Sequence, residues 1–190
     1  GPGGVHLSSR IAVTARDANT LNVFWIDPSG GVRTNWWAQG VSTNWGNLYQ
    51  LPGTGTASTG GGISAVARDQ NKLDVVWVAT DGRLMTTYWN SVAPEQWTGH
   101  CYALTAVNTA ATTGRLSLVS RNPLQLDLFW KAQDGTMRTN YWNAYTGTNF
   151  ASQSYSLGNH NGTAVMNCWA SSAFDDEITL FYRTSSGIFA

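Results

Sequence analysis

The sequence predicts an all-β chain, a β-propeller of four-stranded blades with about three and a half blades in 190 residues. Three observations carry this. Trp25, Trp77, Trp130 and Tyr182 recur at intervals of 52, 53 and 52 residues, and a period near 50 belongs to propeller blades rather than to helical solenoids. Each anchor is followed five residues later by glycine, at Gly30, Gly82, Gly135 and Gly187. No segment shows sustained helical periodicity, yet strands such as "LDVVWVA" (Leu73 to Ala79) are apolar on both faces and must be covered on both, which stacked blades achieve without helices.

Within a unit the elements follow in order. "ISAVAR" (Ile63 to Arg68) is a first strand, "LDVVWVA" a second, "RLMTTYW" (Arg83 to Trp89) a third, and the stretch from Trp97 to Leu104 holds a fourth. In the second strand Leu73, Val75 and Trp77 point one way and Val76 and Val78 the other. "TDG" and "QDG" before strand three supply the Asp-Gly pair that tight hairpins favour, because glycine adopts positive φ at little cost; the first unit has "DPSGG" there. Polar, glycine-rich stretches from Pro52 to Gly62 and from Thr105 to Arg115 read as connections between blades. The expected division is an N-terminal segment over 1–10, blades over 11–62, 63–115 and 116–168, and a partial fourth unit over 169–190. Gly1-Pro2 reads as the remnant of a cleaved tag.

Composition narrows the function. Only 12% of residues are charged, with 11 basic and 11 acidic side chains, so no electrostatic footprint for nucleic acid or an anionic membrane is visible. Apolar runs are far too short for a membrane-spanning helix, and no membrane insertion is expected. Cys101 and Cys168 occupy different repeat positions and are expected to be buried thiols rather than a disulfide. Asn161-Gly162-Thr163 matches a glycosylation triplet but is too short to place the protein in a secretory route. His6, His100 and His160 sit at unrelated repeat positions, and no nucleophile elbow, zinc-binding helix or metal-ligand spacing occurs. The acidic run Asp175-Asp176-Glu177 reads as a solvated hairpin tip. No enzyme, cofactor or metal is expected.

The sentence "RDQNKLDVVWVATDGRLMTTYW" (Arg68 to Trp89) resembles the repeats of bacterial seven-bladed propeller lectins of the Photorhabdus type, in which an N-x-L-D-V-F strand leads to a T-D-G/N turn and a W-W strand. The likeness extends over nearly all of Ile11 to Phe189. It implies a multivalent carbohydrate-binding protein with sites repeated between blades, secreted or facing the cell surface, whose partners are glycans or glycoproteins. Related fungal-type fucose lectins clamp their sugar with an arginine early in strand two and a glutamate in strand three. Here those positions hold Asn22, Asp74 and Asp127, then Thr34, Thr86 and Thr139, so that clamp is missing and fucose is not implied. A non-catalytic interaction or assembly module of a larger polypeptide is the alternative.

A sugar site needs an aromatic face and a few fixed donors and acceptors. One face of strand three offers both: Arg33, Asn35 and Trp37 in the first unit, and Arg138, Asn140 and Trp142 in the third. The second unit keeps Trp89 but has Met85 and Thr87, so a weaker site is expected there. These tryptophans serve equally well as wedges between blades. If the face binds sugar, Asn140→Ala should weaken retention and leave stability unchanged, on the premise that Asn140 is solvent-accessible. A second candidate set, Arg16-Asp17, Arg68-Asp69 and Arg121 with Asn122, lies where strand one turns into strand two, where arginine either pins a loop or meets ligand. The partial fourth unit leaves a sheet edge and an apolar face that favour a homo-oligomer, most simply a dimer closing a ring of about seven blades.

Overall fold

A computed structural model describes residues 4–41, 45–46, 48–92, 97–150, 154–158, 167–172, 178–184 and 186–189. It is an all-β propeller of about three and a half blades, and no α-helix occurs among the described residues. The first sheet contains β1 (Ile11–Asp17), β2 (Thr20–Ile26), β3 (Val32–Ala38) and β4 (Tyr49–Gln50). The second contains β5 (Ile63–Asp69), β6 (Lys72–Val78), β7 (Leu84–Asn90) and β8 (Tyr102–Ala103). The third contains β9 (Leu116–Asn122), β10 (Gln125–Lys131), β11 (Met137–Asn143) and β12 (Tyr155–Gly158). The fourth has three strands, β13 (Asn167–Ser172), β14 (Ile178–Thr184) and β15 (Gly187–Phe189). Every sheet is an antiparallel meander in chain order.

The strands apolar on both faces are the ones that join two cores. Leu73, Val75 and Trp77 of β6 pack with Phe24, Ile26 and Val32 of the first sheet. Val76 and Val78, one residue out of phase, pack with Leu84 against Leu116, Leu118, Leu128 and Trp130 of the third. A smaller core joins Val119, Phe129 and Met137 to Ile178, Leu180 and Tyr182 of β14. Fully burying such a side chain contributes roughly 1.5–3 kcal/mol, so these shared cores hold the sheets face to face.

The hairpin glycines do more than turn. Gly30 and Gly82 have φ of 79° and 74°, and a Cβ on Gly82 would lie 2.9 Å from the Ala110 carbonyl. That carbonyl belongs to the connection running on to the third sheet, whose Ala110 N–H donates to Gly82 at 2.8 Å. The equivalent connection places Ala57 over Gly30. The two expected inter-blade stretches are thus hydrogen-bonded straps.

Cys101 differs from expectation. It is half-buried rather than buried, its thiol donates to the Gly53 carbonyl at 3.0 Å, and burial pushes its pKa up. The side chain of Cys168, the triplet Asn161-Gly162-Thr163, His160 and the acidic run Asp175-Asp176-Glu177 lie outside the described residues.

Candidate functional site

The repeated arginines are the extra residues of β-bulges. In the first hairpin Ala15 pairs with Leu21 and Asp17 with Thr20, leaving Arg16 unmatched. Arg68 is skipped in the same way between Ala67 and Asp69, and Arg121 between Ser120 and Asn122. A bulge re-aims its side chain, and here each arginine turns toward the residue six positions on. The Arg68 Nε donates to Asp74 at 2.6 Å, Arg121 to Asp127 at 2.8 Å and Arg16 to Asn22 at 3.1 Å. The residue after each arginine closes the turn: Asp17, Asp69 and Asn122 accept from the backbone N–H two residues on, at 2.8, 2.7 and 2.9 Å. The Arg-Asp pairs of the sequence are therefore a bulge residue followed by an Asx-turn residue.

These guanidiniums reach across to the next sheet. Arg16 lies over the Trp89 ring, 4.5 Å from its centroid, and Arg68 over Trp142 at 4.7 Å. The structure thus joins the two candidate sets, with the cation from one sheet and the indole from the following one. Arg68 also donates to the Pro123 carbonyl of the third sheet at 3.4 Å. Burial lowers the Arg16 pKa, opposed by the adjacent Asp17. Burial pushes the Asp74 carboxyl up, opposed chiefly by Arg68. Asn22, Asp74 and Asp127 are thus each held by the arginine of the preceding strand-one bulge.

The third-strand triplets share a face without acting together. Arg33 is drawn to Asp27 at 2.7 Å and Arg138 to Asp134 at 2.9 Å, both at the hairpin end of strand three, away from the tryptophans. Asn35 and Asn140 each accept from the N–H of the following residue at 2.8 Å. Asn140 is only 2% exposed and also donates to the Phe150 carbonyl. The premise of a solvent-accessible Asn140 is corrected: its amide ties strand three to the segment leading to strand four. Thr87, at the same position, is fully buried and bonds Thr98 at 2.7 Å. Met85, its neighbour, is buried in the core shared with the first sheet.

The outer strands add a feature that the tryptophan spacing did not reveal. Tyr88 and Tyr102 stack with centroids 6.5 Å apart and planes at 13°, and Tyr141 and Tyr155 at 6.3 Å and 12°. His100 meets Tyr102 edge-on at 4.6 Å. Tyr88, Tyr102 and Tyr155 are exposed. The signal lay in the sequence as an aromatic just before Trp89 and Trp142 and another 13 residues after each, at Tyr102 and Tyr155. Alternation along β7 puts Tyr88 on the same side as Asp74, its cross-strand neighbour. A separate open cavity of about 300 Å³ lies where the first strands begin, lined by Arg10, Ile11, Val13, Gly62 and Arg115 among others.

No protein-family model matches the chain, and no curated protein matches it. Its fold is similar to that of solved structures. BP39L, a lectin from Burkholderia pseudomallei, has a TM-score of 0.65 at 16% identity, covering 96% of this chain and 54% of that one. The SapL1 lectin in complex with alpha methyl fucoside gives 0.63 at 16%, covering 93% and 57%. The Aleuria aurantia lectin, a six-bladed β-propeller with a fucose recognition mode of its own, gives 0.63 at 16%, covering 96% and 57%. The chain thus spans a little over half the length of each, and at this identity the likeness establishes the fold.

Proposed function

We propose that the protein is a non-catalytic, multivalent carbohydrate-binding protein whose sites are the clefts between neighbouring sheets. One observation carries the reading: the same assembly of bulge arginine, inward-held partner and cross-sheet indole recurs at two consecutive clefts. Repetition at that level of detail yields equivalent sites, and equivalent sites give avidity to glycans displayed in number. In this reading the stacked tyrosines supply the apolar wall for a pyranose ring, because Arg16 and Arg68 already cover a face of Trp89 and Trp142. Arg68 with Asp74, and Arg121 with Asp127, supply charge-assisted donors and acceptors for hydroxyls. The structural similarity to lectins and the sequence resemblance to the seven-bladed bacterial type support it. Fucose does not follow, since the carboxylates and threonines at the clamp positions change what the cleft offers.

A glycan array with the purified chain tests the reading. Hits that sharpen with multivalent display are expected, and Tyr102→Ala should reduce them severalfold while moving the melting temperature little, because Tyr102 is exposed. An array without hits favours the interaction-module alternative. Hits indifferent to Tyr102→Ala would move the site away from the tyrosine wall.

A further inference from the structure

The bulge arginines are alike in position and unlike in charge balance. Six residues past each of them the second and third sheets carry Asp74 and Asp127, and the first carries Asn22. Arg68 is therefore neutralised at 2.6 Å, and Arg121 engages both oxygens of Asp127, through Nε at 2.8 Å and Nη2 at 3.4 Å. Arg16 meets a neutral amide instead, its Nε donating to the Asn22 Oδ1 at 3.1 Å. Among the described residues Asp17 is the carboxylate whose charge bears on Arg16, and it is committed to its own turn. It accepts from the Asn19 N–H at 2.8 Å and from the Thr20 hydroxyl at 3.3 Å, and it forms no ion pair with Arg16. The cation of the first cleft is half-buried without the contact counter-charge that its equivalents have.

The geometry of Arg16 says what would match it. Its guanidinium stacks on the Trp89 ring, 4.5 Å from the centroid, and Asn22 takes its Nε–H, so its Nη1 and Nη2 edge donates to no group among the described residues. That edge offers two parallel N–H groups, the fork that fits a carboxylate bidentately. Arg68 differs here too, since its Nη1 donates to the Pro123 carbonyl at 3.4 Å. Aromatic rings share the face that carries Asn22: Trp36 is its cross-strand neighbour, and exposed Tyr49 pairs with Thr34, two residues along. We infer that the first cleft selects acidic saccharides, seating a sugar carboxylate on Arg16, whereas the second cleft, its charge already matched by Asp74, takes neutral ones. The inference rests on the carbohydrate reading above and adds a division of labour to it. One exchange of an amide for a carboxylate, Asn22 against Asp74, sets the difference, because it changes the charge of a cleft without changing its shape. A sulfate ester carries the same charge but not the planar pair of oxygens, so the carboxylate is the better match.

An array of matched pairs tests this with the full chain: glucose beside glucuronate, galactose beside galacturonate, and a sialylated glycan beside its asialo form, with sulfated galactose added to read charge alone. In at least one pair the wild-type chain should retain the carboxylated member over the neutral one, and Asn22→Asp should lower that retention about tenfold, the scale of hydrogen bonds to a charged group. Near-ultraviolet circular dichroism confirms that the variant is folded; if Asn22→Asp does not fold, Arg16→Gln makes the same test. Failure of the two readings looks different. An array with no hit of either kind overturns the carbohydrate reading and this inference with it. Neutral hits without any preference for a carboxylated member overturn this inference alone. So does a preference that survives both Asn22→Asp and Arg16→Gln, which would put the acidic site outside the first cleft. Sulfated galactose retained as well as the best carboxylated probe would overturn the assignment of a carboxylate to Arg16.

Discussion

Arg68 sits between a carboxylate on its own sheet and an indole on the next, with only 11% of its side chain exposed. Removing it leaves Asp74 buried without its cation, the costliest way to break such a pair. Arg68→Ala should therefore lower stability by about 3 kcal/mol. The double change Arg68→Met with Asp74→Leu should cost less than Arg68→Ala alone, measured by urea denaturation. Asn140→Ala, on the corrected burial, should cost about 1–3 kcal/mol, since the Phe150 carbonyl loses its donor. Asp27 gives a pH signature. Its carboxyl is buried, which acts to raise its pKa, but hydrogen bonds from Ser29, Arg33 and Gly31 hold it at about 2. A depressed carboxylate contributes stability that is fully present above the unfolded value near 3.8 and is lost as pH falls through the folded one. Acid titration of the melting temperature should show a loss between about pH 4 and 2, absent in Asp27→Asn. The sequence displayed the arginines at fixed offsets. Their partners were hidden, because a bulge is a matter of hydrogen-bond register and a ring some 73 residues downstream becomes a neighbour only once the sheets stack.

At the scale of elements, the hairpins were the most legible part. Asp81-Gly82 and Asp134-Gly135 announced positive φ, and the glycines have 74° and 82°. What local sequence does not state is the strap that passes over them. Gly82→Ala faces both an unfavourable φ and the Ala110 carbonyl, whereas Gly40→Ala faces φ of 75° with nothing within 4 Å. Gly82→Ala should accordingly cost about 1–3 kcal/mol and Gly40→Ala markedly less, a difference that thermal melts of the two variants would read directly. Fourth strands were the least legible. A strand between Trp97 and Leu104 contracts to Tyr102–Ala103 with a lone bridge from Trp97 to Trp89. Thr98 bonds Thr87 and the His100 carbonyl, and such local side-chain bonding competes with the ladder.

For the whole molecule, stability follows from how many neighbours a sheet has. The second sheet is packed on both faces and shares both large cores, while the first offers one face to solvent. Stacked units depend on nearest-neighbour interfaces, so amide exchange in this chain should be slowest in β6 and measurably faster in β2. The same stacking encloses Trp77 and Trp130 completely, and their indole N–H groups have no hydrogen-bond partner among the described residues. An indole kept from water emits at shorter wavelength than one that solvent can reorient around. Two of the ten tryptophans therefore act as built-in optical gauges, one per large core, whose red shift on denaturation times the parting of one pair of sheets.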